Sequence, residues 1–137
     1  KKNKIQFKKF SNKFYKENFC NYFKRKDKKP FIVYSRFIWH SINNKDEKTL
    51  INFLRKNKGL KYLFLEARTI NDEIYGQGKR VGKHEYITSH YRRFIDPNIL
   101  KKELSKFLKI TYFKESKNLA KYKKENPCVM RLIAKKK

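Results

Sequence analysis

The sequence predicts an α/β domain built on a mixed sheet, mainly parallel, with a final antiparallel strand. Three observations lead there. Two short, wholly apolar runs, Phe31-Ile32-Val33-Tyr34 and Tyr62-Leu63-Phe64-Leu65, have the continuous apolar character of strands buried on both faces. Amphipathic helical spacing alternates with such runs, the pattern of strand–helix–strand units. The last two strand-like runs, Ile110 to Phe113 and Cys128 to Ala134, have no helix between them, so they pair antiparallel at one edge.

The elements follow in order. Ile5-Gln6-Phe7 is a short alternating run that suits a strand. Asn12 to Lys26 sets Tyr15, Phe19, Tyr22 and Phe23 on one helical face, with lysines opposite. Pro30 punctuates before the Phe31 strand, which ends in Ser35-Arg36. Asn43 or Asn44 caps a helix running to Lys56, with Asp46 and Glu47 in the first turn, Arg55 and Lys56 in the last, and Leu50, Ile51 and Leu54 as its apolar stripe. Gly59 suits the stop. The Tyr62 strand ends at the charged pair Glu66 and Arg68. A loop follows to Phe94 that holds three of the four glycines and two of the three histidines. Asp96-Pro97 starts a helix carrying Leu100, Leu104, Phe107 and Leu108. Glu115 to Asn126 is a polar connection.

With 137 residues the chain suits one domain, residues 1–137, or a portion of one. It begins on Lys1, which fits either a fragment of a longer protein or a chain that has lost residues in processing. Hydrophobic residues make up 39% and aromatics 16%, enough for a core and unlike a disordered polycation. A formal net charge of +26, from 38 Lys+Arg against 12 Asp+Glu, would draw phosphates, nucleic acid or anionic surfaces. Base composition rich in A and T would also raise lysine on a tolerant surface, and the two origins stay open. Cys20 and Cys128 have no metal-type spacing around them. Two cysteines without a secretory signal fit reduced thiols in a cytoplasmic protein, and no apolar run reaches the length of a membrane span.

A buried strand that ends in ionisable residues delivers them to its carboxyl end, where open α/β sheets bind ligands. His84, His90 and Glu66 are the catalytic candidates of this stretch, with Glu85 a further carboxylate, and a histidine is preferred as base because it titrates near neutrality. A salt bridge from Glu66 to Arg68 or Arg92 is the structural alternative. Arg68, Tyr91, Arg92, Arg93 and His40 are candidates for binding an acceptor, the arginines as bidentate grips for phosphate or carboxylate. If Arg92 and Arg93 alternate on a strand, only one of them faces the site. Arg93→Ala is expected to weaken acceptor binding without unfolding the domain.

The words Val33-Tyr34-Ser35-Arg36-Phe37 with His40, Leu65-Glu66-Ala67-Arg68-Thr69, Asp72-Glu73 with Tyr75-Gly76 and Gly78, and His90 to Phe94 occur together in a resemblance. The chain is similar to the C-terminal half of a class I S-adenosylmethionine-dependent methyltransferase, in a bacterial branch associated with capsule or cell-surface polysaccharide. The resemblance implies a Rossmann-like fold, S-adenosylmethionine as cofactor, Tyr34, Ser35 and Arg36 beside its methionyl part, and O-methylation of a saccharide or phosphate-bearing acceptor. The glycine-rich first loop and the ribose-binding acid of that family are missing here. Gly76-Gln77-Gly78 falls after a later strand, in the wrong context for that role. The resemblance thus implies a missing N-terminal half as partner and little activity in this portion alone. The competing reading is a basic RNA- or ribosome-binding module without catalysis. Against it, the aromatics fall at core-facing spacings.

Overall fold

The computed structural model describes residues 30–137, so the expected elements Ile5–Phe7 and 12–26 lie outside the described residues. Strand β1 (Phe31–Arg36) leads through a 3-10 turn (Trp39–Ser41) to helix α1 (Asn44–Lys56), then to strand β2 (Leu60–Arg68). Three short strands follow, β3 (Lys79–Gly82), β4 (Glu85–Ile87) and β5 (Tyr91–Arg93). Helix α2 (Pro97–Ser105), strand β6 (Leu108–Ser116) and strand β7 (Val129–Lys136) complete the order.

Local chemistry sets the helix ends. The Asn43 side chain accepts the Asp46 amide at 2.9 Å, and Asp96 accepts those of Asn98 and Ile99. Each cap satisfies donors that a first turn leaves unpaired. Leu50, Ile51 and Leu54 of α1 and Leu100 and Leu104 of α2 pack with Leu63, Leu65, Leu132 and Ala134 of the sheet into one core. Trp39 and Ile95 close its carboxyl-end side.

The main sheet has the order β1-β2-β7-β6. β1 and β2 are parallel, with Tyr34 opposite Phe64 and Arg36 opposite Glu66. β7 is antiparallel to both neighbours. The sheet is therefore mixed as predicted, but among the described residues it has one parallel pair and two antiparallel pairs, not a mainly parallel set. The last strand also lies inside, between β2 and β6, and β6 forms the edge. The α2 crossover carries the chain one place beyond β2, and the returning strand fills the gap it leaves.

β2 is longer than its apolar run. Ladder pairing with β7 continues through Glu66↔Arg131 to Arg68↔Val129, so the charged residues sit within the strand and not after it. The stretch expected as open loop holds the second sheet, the meander β3-β4-β5. Its own small core is aromatic: Tyr75 meets Tyr86 and Phe94 edge-on, with ring centres 5.5 and 5.4 Å apart. Gly78 is required where the meander begins. Its φ is +88°, and a Cβ there would stand 2.4 Å from the Ile87 carbonyl oxygen. Gly78→Ala is expected to cost about 2 kcal/mol, from the left-handed backbone plus the contact. A lowered thermal midpoint with unchanged far-ultraviolet dichroism is the outcome to look for.

The connection between β6 and β7 is ordered by side chains. Asn126 accepts the Asn118 amide and donates back to its side chain, both at 2.8 Å. Asp72, buried, accepts the amides of Ile74 at 3.1 Å and Cys128 at 2.9 Å. That carboxylate ties the turn after β2 to the start of β7. No helix among the described residues is long and apolar enough to cross a membrane.

Candidate functional site

β1 and β2 end side by side at their carboxyl ends. There Glu66, buried, stands between two arginines: Arg36 donates its Nε to Oε1 at 2.9 Å, and Arg131 donates its Nε to Oε2. The salt bridge expected for Glu66 exists, but with Arg36 and Arg131 in place of Arg68 or Arg92. Register decides this, because Arg36, Glu66 and Arg131 occupy one row across three strands. Both carboxylate oxygens are taken, which removes Glu66 as a free base. An open depression of about 480 Å³ lies over this row, with Tyr34, Ser35, Arg36, Glu66, Tyr112 and Arg131 in its wall. The Ser35 hydroxyl is buried and has no hydrogen-bond partner.

Beyond the strand ends, His40 sits in the 3-10 turn with Nδ1 3.5 Å from the Arg68 amide. Burial, reinforced by Arg68, Arg92, His90 and Arg93, lowers its pKa to about 4. His40 is thus a neutral imidazole at physiological pH. The Arg68 guanidinium is mostly covered and pairs with Asp72 and Glu125. Arg92 donates to the Thr88 hydroxyl at 2.9 Å. His90, exposed on the turn between β4 and β5, has Nδ1 3.0 Å from the Ser89 hydroxyl.

Arg92 and Arg93 do alternate on a strand, and Arg93 points inward. Its guanidinium donates to the carbonyls of Ile42 and Trp39, to Asn44 Oδ1 at 3.1 Å, and to the Glu47 carboxylate. Trp39 Nε1 donates to the same carboxylate. Arg93 is a buried clamp that fixes the 3-10 turn and the start of α1 to β5. The expectation that its loss would spare the fold is therefore corrected, since four protein acceptors would each lose a donor.

The meander separates the two expected histidines. His84, at φ +60°, holds Nδ1 2.7 Å from the Tyr75 hydroxyl. Burial, then the Lys83 charge, lowers its pKa. It lines a second cavity, of about 140 Å³, with Glu47, Lys83, Arg93 and Asp96. Glu66 and His84 thus belong to different hollows and do not form one constellation. Tyr91 has a buried hydroxyl, and burial, followed by the nearby Glu85 carboxylate, pushes its pKa to about 12. Glu85 in turn accepts the Asn44 amide at 3.3 Å. With Arg93 it fastens the meander to α1, so the stretch expected as a loop is a docked small sheet.

Sequence reasoning missed Arg131, Asp72 and Trp39 as organising residues of this end. Only the register of β7 brings Arg131 to Glu66. Asp72 carried no signal beyond its place in a word.

No protein-family profile and no curated protein matches the chain. Among solved structures, it is similar to a SAM-dependent methyltransferase from Archaeoglobus fulgidus, at 18% identity and a TM-score of 0.55, over 99% of this chain and 73% of that one. Likeness at that identity concerns the fold: this chain has a mixed α/β arrangement like that of the methyltransferase.

Proposed function

We propose that this chain is the C-terminal, acceptor-binding portion of an S-adenosylmethionine-dependent methyltransferase, acting on a hydroxyl of a saccharide or phosphate-bearing cell-surface precursor. The observation that carries the reading is the pairing of Arg36 with Glu66 at adjacent parallel strand ends, with the neutral imidazole of His40 beyond those ends against the Arg68 amide. Both lie within a methyltransferase-like fold.

The residues fit one end of the cofactor. Tyr34 and Arg36 stand in one wall of the larger depression, and the Arg36 guanidinium suits the carboxylate of an amino-acid group, whereas Ser35, opposite Leu65 and buried, turns toward the core. No glycine-rich loop or ribose-binding acid for the nucleoside end stands among these 137 residues. When bound, S-adenosylmethionine supplies an electrophilic methyl group. The chain's own contribution is to hold the acceptor in line and take its proton. Arg92, on the outer side of β5, would grip an acidic group of the acceptor. His40 would give it a desolvated hydrogen-bonding edge, and His90 would take the hydroxyl proton. With Glu66 engaged by two guanidiniums, His90 is preferred over it.

Calorimetry of the complete gene product with S-adenosylhomocysteine tests the reading. One site per chain is expected, with Arg36→Ala weakening it. In turnover, Arg92→Ala is expected to raise the acceptor KM with kcat nearly kept. A folded complete protein that takes up no S-adenosylhomocysteine would overturn the assignment.

A further inference from the structure

The spacings that read as core-facing in sequence do not all face the core. β1, β2, β7 and β6 turn Val33, Leu63, Leu65, Leu132, Ala134 and Phe113 toward α1 and α2. Their other face carries Tyr34, Phe64, Ile133 and Tyr112 in a single row across four strands. Tyr34 is 70% exposed and Tyr112 43%, with Tyr62 at 42% and Ile32 at 59% in the adjoining row. Three tyrosines on one sheet face are a large apolar surface to leave in water.

Charge says what suits it. The row on one side is Arg36, Glu66, Arg131 and Lys114, and the row on the other holds Lys135 and Lys109. The cations outnumber the single acid five to one, and that acid is already paired with two of them. A protein partner of average composition would bury those charges at a cost. A strand of phosphates would not.

We propose that this sheet face binds a single-stranded nucleic acid, with bases stacked on Tyr34, Phe64 and Tyr112 and phosphates along the flanking cation rows. Four strands at about 4.8 Å spacing give a platform roughly 15 Å across, room for two or three nucleotides. Bases splayed on a sheet are accessible only in a single strand, so a duplex could use the charge but not the rings. This face overlaps the depression assigned above to the cofactor, sharing Tyr34 and Arg36, but the binding proposed here does not rest on methyl transfer and its test needs no cofactor.

The test is fluorescence anisotropy with labelled oligouridine and oligothymidine 12-mers, against a 12-base-pair duplex, over a salt series. Tyr34→Ala and Tyr112→Ala, on different strands, are each expected to weaken single-strand binding about tenfold at unchanged salt slope, with duplex binding unaltered. Lys114→Ala is expected to lower the salt slope by roughly 0.7 while keeping the preference for single strands. If both tyrosine variants hold the oligonucleotides as tightly as the parent does, only the +26 field is at work and the proposal fails. It also fails if the two substitutions lower the thermal midpoint and leave affinity alone, since the face is then covered by polypeptide.

Discussion

Replacing Arg93 with alanine is expected to destabilise the domain by about 3–5 kcal/mol, the cost of stripping one partner from a buried, hydrogen-bonded ion pair. The guanidinium serves the carbonyls of Ile42 and Trp39, the Asn44 side chain and Glu47 at once. Its removal leaves Glu47 held only by the indole of Trp39 and orphans two carbonyls. Arg93→Lys should recover little, because a single ammonium cannot copy a fork that reaches acceptors through Nε and both Nη atoms. A domain of this size commonly holds 5–15 kcal/mol in all, so the urea midpoint should fall steeply. Arg92→Ala, one residue away and directed outward, should leave that midpoint within about 0.5 kcal/mol of the parent. Equal midpoints for the two alanine variants would show that Arg93 is not the clamp.

Acidification should act through His40. Its folded pKa, about 4, lies below the roughly 6.5 of an unfolded histidine. Between those values the unfolded chain binds the extra proton, so stability rises with pH across the window. The contribution of His40 is fully present above about pH 6.5 and is lost as pH falls through about 4. Two and a half pH units at 1.36 kcal/mol each make this about 3 kcal/mol. His40→Asn, which cannot take a proton, should flatten the difference between urea midpoints at pH 7 and pH 4 by about that amount. Carboxylates titrate in both proteins and cancel in the comparison. Parallel pH profiles for parent and variant would place the imidazole in water.

The histidines show why parts of the site were legible and others not. His40 stood out because it follows a strand end by four residues, and a strand end is where ionisable groups gather. Its desolvation was not readable, since that depends on Arg68 and β5 folding over it from 28 and more residues away. His84 and His90 lay in one glycine-rich stretch and read as one cluster. One strand, β4, divides them, and strands of three or four residues are too short to leave an alternation to recognise. Glu66 read as a catalytic candidate, with a salt bridge to Arg68 or Arg92 as the alternative; the structure favours the pairing, but with other arginines. The actual partners come from β1 and β7, because cross-strand register outranks sequence proximity within a sheet.

What the sequence determined by itself was local. Asn43 and Asp96-Pro97 start helices because their side chains satisfy first-turn amides wherever the helix goes. The apolar runs at Phe31 and Tyr62 form strands, although Ile32, Tyr34 and Tyr62 stay exposed on the outer face, and Gly78 marks a turn. Such signals act over a few residues and survive any arrangement of the rest. Tertiary structure alone decided that β7 enters between β2 and β6, which sets Arg131 against Glu66 and lines Tyr34, Phe64 and Tyr112 along one open face. It also turned Arg93 into a clamp and left Arg92 outside. These outcomes follow from strand order and register. A shift of one residue or one strand exchanges core for surface while leaving every local preference equally satisfied.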